Sequence, residues 1–258
     1  MKTTTLLALL AAGSATLLAA APLTESTFTE IVRDVKVVAG DQSGQPAKLN
    51  GLVRAPERVR TSADSRAELT APDQTLTRIG ANTVFSFDTA GRTINLEQGS
   101  LLFHSPKGAG GGTIKSGGAS AAVSGTTLIV VATPYGGFKV IILEGRARVK
   151  LARGRSVSLN AGQTVYLIND GRDFSPVFDI DLAKLIEGSL LVRGFPKPLP
   201  SVAQIDAALV EQQQARARGR GGEAASRAEA FAATKLIGLV DEIEMSAAVG
   251  GGVGRAGQ

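Results

Sequence analysis

The sequence predicts a mostly β protein: a β-roll or β-sandwich followed by a C-terminal helical appendage. Three observations carry that prediction. Segments such as "RARVKL" (146–151) and "TINLEQGSLLF" (93–103) alternate polar and apolar residues at period two, as a strand does when one face is wet and the other is buried. From Thr27 to Ile168 such runs are short and punctuated by Gly, Asn, Asp and Pro. Beyond the Pro-rich "FPKPLPS" (195–201) the apolar spacing becomes helical.

Composition sets the bounds. With 258 residues, 43% of them hydrophobic and 20% charged, the chain is globular and long enough for a sizeable core. Nine Phe, two Tyr and no Trp leave that core aliphatic and offer little platform for stacking bases or sugar rings. The absence of Cys excludes disulfides, thiolate metal sites and a thiol nucleophile.

The N-terminal "MKTTTLLALLAAGSATLLAAAP" has a Lys at position 2, an apolar run from Leu6 to Ala21 and small residues at Ala19 and Ala21, the pattern of a secretory signal peptide. Residues 1–21 are therefore expected to be removed, leaving a periplasmic or secreted protein. The sixteen residues of that run fall short of the roughly 20 that span a bilayer.

The β-domain is expected over residues 27–178. "TTLIVVAT" (126–133) lacks alternation and is β-branched, as a strand covered on both sides would be. A loose repeat recurs as "LNGLV" (49–53), "LEQGSLL" (96–102), "LEGRARV" (143–149) and "LNAGQTV" (159–165). Each copy reads as a strand, a tight glycine turn and a returning strand. "SPKGAGGGTIKSGG" (105–118) fits neither a nucleotide P-loop nor a dinucleotide fingerprint, because no Gly-Lys-Ser/Thr follows at the required spacing and Thr113 stands where a third Gly is needed. It reads as a mobile glycine-rich hairpin near a sheet edge.

Three segments resemble a FecR domain: "VRTSADSRAELTAPDQTLTRIGANTVFSF" (59–87), "INLEQGSLLFHSPKGAGGGTIKSGGASAAVSGTTLIVVAT" (94–133) and "VIILEGRARVKLARGRSVSLNAGQTVYLI" (140–168). They hold, in order, the family's V-x-T-x-x-x-S-x-A-x-L opening, its N-T step, the L-x-x-G-x-L strand and a segment ending in G-T, and "LEGRARV" (143–149) stands at the place of its L-x-G-x-x-V closure with Val149 one residue later. Two departures bear on local packing. "SGGAS" replaces the expected Thr-Pro, and Leu128 stands where an aromatic is usual. The resemblance implies an exported binding or interaction module of the bacterial cell envelope. The best-known members of the family join this domain to a cytoplasmic anti-sigma arm and a membrane helix, and neither is expected here. A signalling regulator contacting an envelope receptor is one alternative. A carbohydrate-binding or carbohydrate-active envelope protein is another.

Catalytic readings are weak. His104, the lone histidine, cannot furnish imidazole pairs for a metal and is expected to end a strand in a structural role. Ser124 in "AVSGTT" is not in a Gly-x-Ser-x-Gly elbow. Glu97 and Glu144 each flank a glycine turn and would serve acid/base chemistry only if they met in a pocket. "NDGRD" (169–173) offers too few carboxylates for calcium. The chain is expected to be no enzyme and to hold no cofactor or metal.

The net charge is +5, concentrated in "RARVKLARGR" (146–155) and "ARARGRGG" (215–222). On a strand, Arg146, Arg148 and Lys150 fall in a row on one face, the candidate site for an envelope protein or an anionic cell-surface polymer. An ordinary solvated edge protected by basic residues gives the same pattern. Nucleic acid is not expected as a partner.

The helical appendage is expected over 179–248. One helix opens at Ser201 as N-cap with a stripe of Val202, Ile205, Ala208 and Leu209. A second, more apolar helix follows from residue 223, and a disordered tail covers 249–258.

Overall fold

The computed structural model describes residues 20–40, 43–168 and 171–218. The expected signal segment up to residue 19, the helix expected from residue 223, the expected tail, and Asn169 and Asp170 of the rejected calcium loop lie outside the described residues.

In chain order the strands are β1 (Glu25–Val32), β2 (Val35–Val38), β3 (Gln45–Pro46), β4 (Leu52–Arg54), β5 (Arg58–Thr61), β6 (Arg66–Thr70), β7 (Leu76–Ile79), β8 (Val84–Phe87) and the long β9 (Thr93–Ser105). Then come β10 (Gly112–Ser116), β11 (Ala119–Val123), β12 (Thr126–Ala132), β13 (Phe138–Glu144), β14 (Arg146–Leu151), β15 (Ser156–Asn160) and β16 (Gln163–Ile168). Two short strands, β17 (Asp173–Phe174) and β18 (Phe178–Asp179), precede α1 (Leu182–Gly188), α2 (Leu190–Arg193) and α3 (Val202–Ala217).

Two sheets pack face to face. One runs β4, β1, β6, β7, β9, β12, β13, β16, β18. The other runs β3, β2, β5, β8, β9, β10, β11, β14, β15. β9 serves both, because its first half pairs with β8 and β10 and its second half with β7 and β12. The crossing falls at Gly99, whose φ of +97° suits glycine, and where a Cβ would come within 2.4 Å of the Thr83 Cα.

The inner faces meet in an aliphatic core with a few phenylalanines, including Val59, Leu69, Phe85, Leu101, Phe103, Leu128, Val130 and Val149. A second apolar layer lies on the outer face of the first sheet, where Leu102, Ile129 and Ile141 meet Leu182, Leu191, Leu199 and Ile205 of the helical segment. β12 explains its own sequence: Leu128 and Val130 enter the inter-sheet core while Ile129 and Val131 meet the helical side, so every residue is buried. β14 is the opposite case, alternating exposed and buried from end to end.

The structure corrects three expectations. The glycine-rich stretch is no hairpin at an edge: β10 runs parallel to the first half of β9, with Thr113 opposite Thr93 and Lys115 opposite Asn95, in the interior of the second sheet. Because β9 changes sheets midway, the chain must return across the sandwich to reach that place. Close approach demands glycine at Gly110, Gly111 and Gly112. At Gly111, with φ +72°, a Cβ would sit 2.0 Å from the Val123 carbonyl oxygen.

The repeat is also not a set of hairpins. Gly51, Gly145 and Gly162 lie between strands of different sheets, and Gly99 lies where β9 crosses over. The repeated glycine marks corners at which the chain changes layer.

Finally, Ser201 occupies the N-cap position of α3 without a side-chain capping bond, and Val202 is exposed, so the buried stripe begins at Ile205. The Ser201 hydroxyl is used elsewhere.

Candidate functional site

The outer faces of the two sheets differ, and the sequence-derived candidates lie on the second. β14 directs Ala147, Val149 and Leu151 into the core and leaves Arg146, Arg148 and Lys150 exposed. Successive heads on this strand are about 6.7 Å apart along the chain direction. Their cross-strand neighbours are small and polar: Asn160 faces Arg146, Ser158 and Ala122 flank Arg148, and Ser156 and Ser120 flank Lys150. None of these cross-strand neighbours has a bulky side chain.

The register extends this row to residues that the sequence reading left aside. Lys150 aligns with Ser120, Ser120 with Lys115, Lys115 with Asn95, Asn95 with Ser86 and Ser86 with Arg58. Arg60 lies two residues along from Arg58 and is exposed. The signal was available in "RVRT" and "GTIKS", which alternate as "RARVKL" does, but only strand order reveals that all three share one face. Among the described residues no carboxylate pairs with the side chains of Arg60, Lys115, Arg146, Arg148 or Lys150. Glu97 is exposed on β9, two residues along from Asn95.

Glu144 points the other way. It is buried at the end of β13 on the outer face of the first sheet, so Glu97 and Glu144 do not meet. Glu144 instead belongs to a polar cluster that the sequence did not disclose. Thr127 Oγ1 lies 2.7 Å from Glu144 Oε1, 2.7 Å from Ser201 Oγ and 2.9 Å from His104 Nδ1. One hydroxyl has one proton. If Thr127 donates to the carboxylate it must accept from Ser201 and from a neutral imidazole protonated at Nδ1. Burial pushes the Glu144 carboxyl above its usual range, against the hydrogen bond from Thr127 and the charge of Lys107. Burial pushes the His104 imidazole below its usual value.

A second polar cluster lies across the same face. Arg78, fully buried on β7, donates from Nε to Glu68 Oε2 at 2.8 Å, and Thr29 Oγ1 donates to Glu68 Oε1 at 2.8 Å. The rest of the guanidinium reaches the carbonyls of Leu191, Val192 and Lys197 and lies 4.5 Å from the Phe195 ring centroid. Arg78 thereby fixes α2 and the irregular segment after it to the sheet. Between the two clusters runs an open groove of about 660 Å³, lined by Glu68, His104, Glu144, Lys107, Lys197 and Pro200 among others.

Among the described residues no group of His, Asp and Glu could hold a metal ion, and no helix is long and apolar enough to cross a membrane. Of the rejected calcium loop, Asp173 is ion-paired with Arg155 at 2.5 Å.

No curated protein matches the chain. Two crystal structures of a candidate anti-sigma factor from Parabacteroides distasonis, at 1.65 and 2.50 Å resolution, align with 18% identity and a TM-score of 0.44. The aligned part covers 50% of this chain and 62% of that one. The profile of the FecR protein family matches residues 57–148, from the start of β5 into β14. The match takes in the long β9 that joins the two layers and two of the three basic positions on β14, and it shows a FecR domain over that part of the chain.

Proposed function

We propose that the protein is an exported, non-catalytic FecR-like interaction module of the bacterial cell envelope, and that it meets its partner through the outer face carrying Arg146, Arg148 and Lys150. The observation that carries this reading is the unequal treatment of the two outer faces. One is covered by helices and its ionisable groups are engaged in holding them. The other presents cations that have no carboxylate partner among the described residues, set among small residues. The N-terminal apolar run motivates export, and the family match motivates a regulatory or assembly role over a catalytic one.

The non-catalytic reading is supported by the bonding of the groove residues. Both Glu68 oxygens are held, by Thr29 and Arg78, and Glu144 is tied through Thr127 to the N-cap of α3. A general acid or base needs a free proton-transfer position facing substrate. The groove has a volume within the range of small-molecule sites, and this favours carbohydrate binding as a second reading.

The test is a photo-crosslinking amino acid placed at Arg148 in intact cells, followed by fractionation. Adducts recovered from the envelope fraction support the proposal. Confinement of the protein to the cytosol, or adducts from Gln204 in the groove with none from Arg148, would refute it.

A further inference from the structure

The geometry points to the outer face of the second sheet as a docking surface for an extended polymer of repeating phosphate groups. The inference rests on the proposed use of this face and names the chemistry it reads. Charge is the first argument. Arg60, Lys115, Arg146, Arg148 and Lys150 are exposed on three strands of one sheet and have no carboxylate partner among the described residues.

Shape is the second. Neighbouring strands are roughly 4.8 Å apart, so Lys150 lies roughly 10 Å from Lys115, and Lys115 roughly 14 Å from Arg58 along the same row. A single small anion would satisfy one of these positions; a chain laid across the strands can reach them in succession.

The third argument is the donor set. Lys150 is flanked in register by Ser120 and Ser156, Arg148 by Ser158, Arg146 by Asn160 and Lys115 by Ser120 and Asn95. Each of these four cations therefore sits beside hydroxyl or amide donors, whereas Arg60 faces Lys36 and Val84 in register. A phosphate carries several strong acceptor oxygens in a tetrahedral array and uses more than two donors at once, whereas a carboxylate has two coplanar oxygens. No aromatic side chain lies in these rows, so ring stacking on sugars or bases has no platform there.

The experiment uses the full chain and long-chain inorganic polyphosphate as the probe, with poly-L-glutamate and polygalacturonate at equal charge. Polyphosphate should bind most tightly and weaken as salt rises. Arg146→Ser/Arg148→Ser/Lys150→Ser should lose on the order of tenfold or more in affinity. Lys184→Ser/Arg193→Ser/Arg218→Ser, which removes the same charge from the exposed helical side, should lose far less. Arg60→Ser/Lys115→Ser gives an independent reading of the same face should the triple variant fold poorly.

Equal loss in the two triple variants would reduce the effect to net charge and overturn the inference. Unchanged affinity in the β14 triple variant would overturn it as well. Tighter binding of poly-L-glutamate or polygalacturonate would assign the face to an acidic polypeptide or a uronic-acid glycan instead. A cytosolic location would defeat the envelope reading while leaving polyphosphate binding in place, so the two failures are distinguishable.

Discussion

The two outer faces of one sandwich are built from strands of the same kind yet differ in every other respect. On the first sheet, β12 and β13 are apolar on both sides, and α1 to α3 with the segment that precedes α3 cover them through Leu182, Leu191, Leu199 and Ile205. Charged groups on that face, Arg78 and Glu68 above all, are buried and bonded in pairs. On the second sheet, β14 and β15 keep strict or near-strict alternation and nothing described covers them. The difference teaches where to look for contact with other molecules: the covered face has used its polar chemistry to attach its own chain, and the bare face has not.

Variants can break or sharpen this contrast, and the largest effect belongs to Arg78→Met. It removes the guanidinium from Glu68 and from three backbone carbonyls, leaving a buried carboxylate unpaired, and should cost about 3–5 kcal/mol in chemical denaturation. The double variant Arg78→Met/Glu68→Gln should recover part of that loss. Leu102→Ala, between the sheet and the helices, should cost about 2–5 kcal/mol by transfer and cavity terms. Ser201→Ala should cost about 1–2 kcal/mol, because it unties α3 from Thr127 in a site where Ser201 is almost wholly buried.

The pH dependence of the covered face has two opposing parts. For His104 the folded state holds its proton less well than the unfolded chain, so stability rises with pH through the window below the ordinary 6.5. For Glu144 the folded state holds its proton better, so stability falls as pH rises above the ordinary 4.5. Melting curves across that range should show His104→Gln losing the rising component and Glu144→Gln losing the falling one. Changes in the same direction would contradict the burial argument. The smallest effect is expected on the bare face: Arg148→Ser should leave stability within about 0.5 kcal/mol of the parent.

Legibility in the sequence follows the same contrast. β14 was readable because its alternation is a direct image of one wet and one dry side, and β12 because its β-branched run required cover on both. The charged row on β14 was equally plain. Its extension to Lys115 and Arg60 was hidden, since the strands that carry them become neighbours only after β9 has crossed between layers. Gly99 and Gly145 were readable as conformational necessities but not as corners, because a hairpin and a change of layer impose the same positive φ. The cluster of His104, Thr127, Glu144 and Ser201 joins residues up to 97 positions apart, and no local spacing announces it.

The most direct test of the division between faces is a backbone amide chemical-shift map of the protein titrated with polyphosphate. The account predicts that perturbed amides cluster on β10, β11, β14 and β15 while those around His104, Glu144 and α3 stay in place. Perturbations gathered along the groove beside α3, with β14 silent, would contradict it.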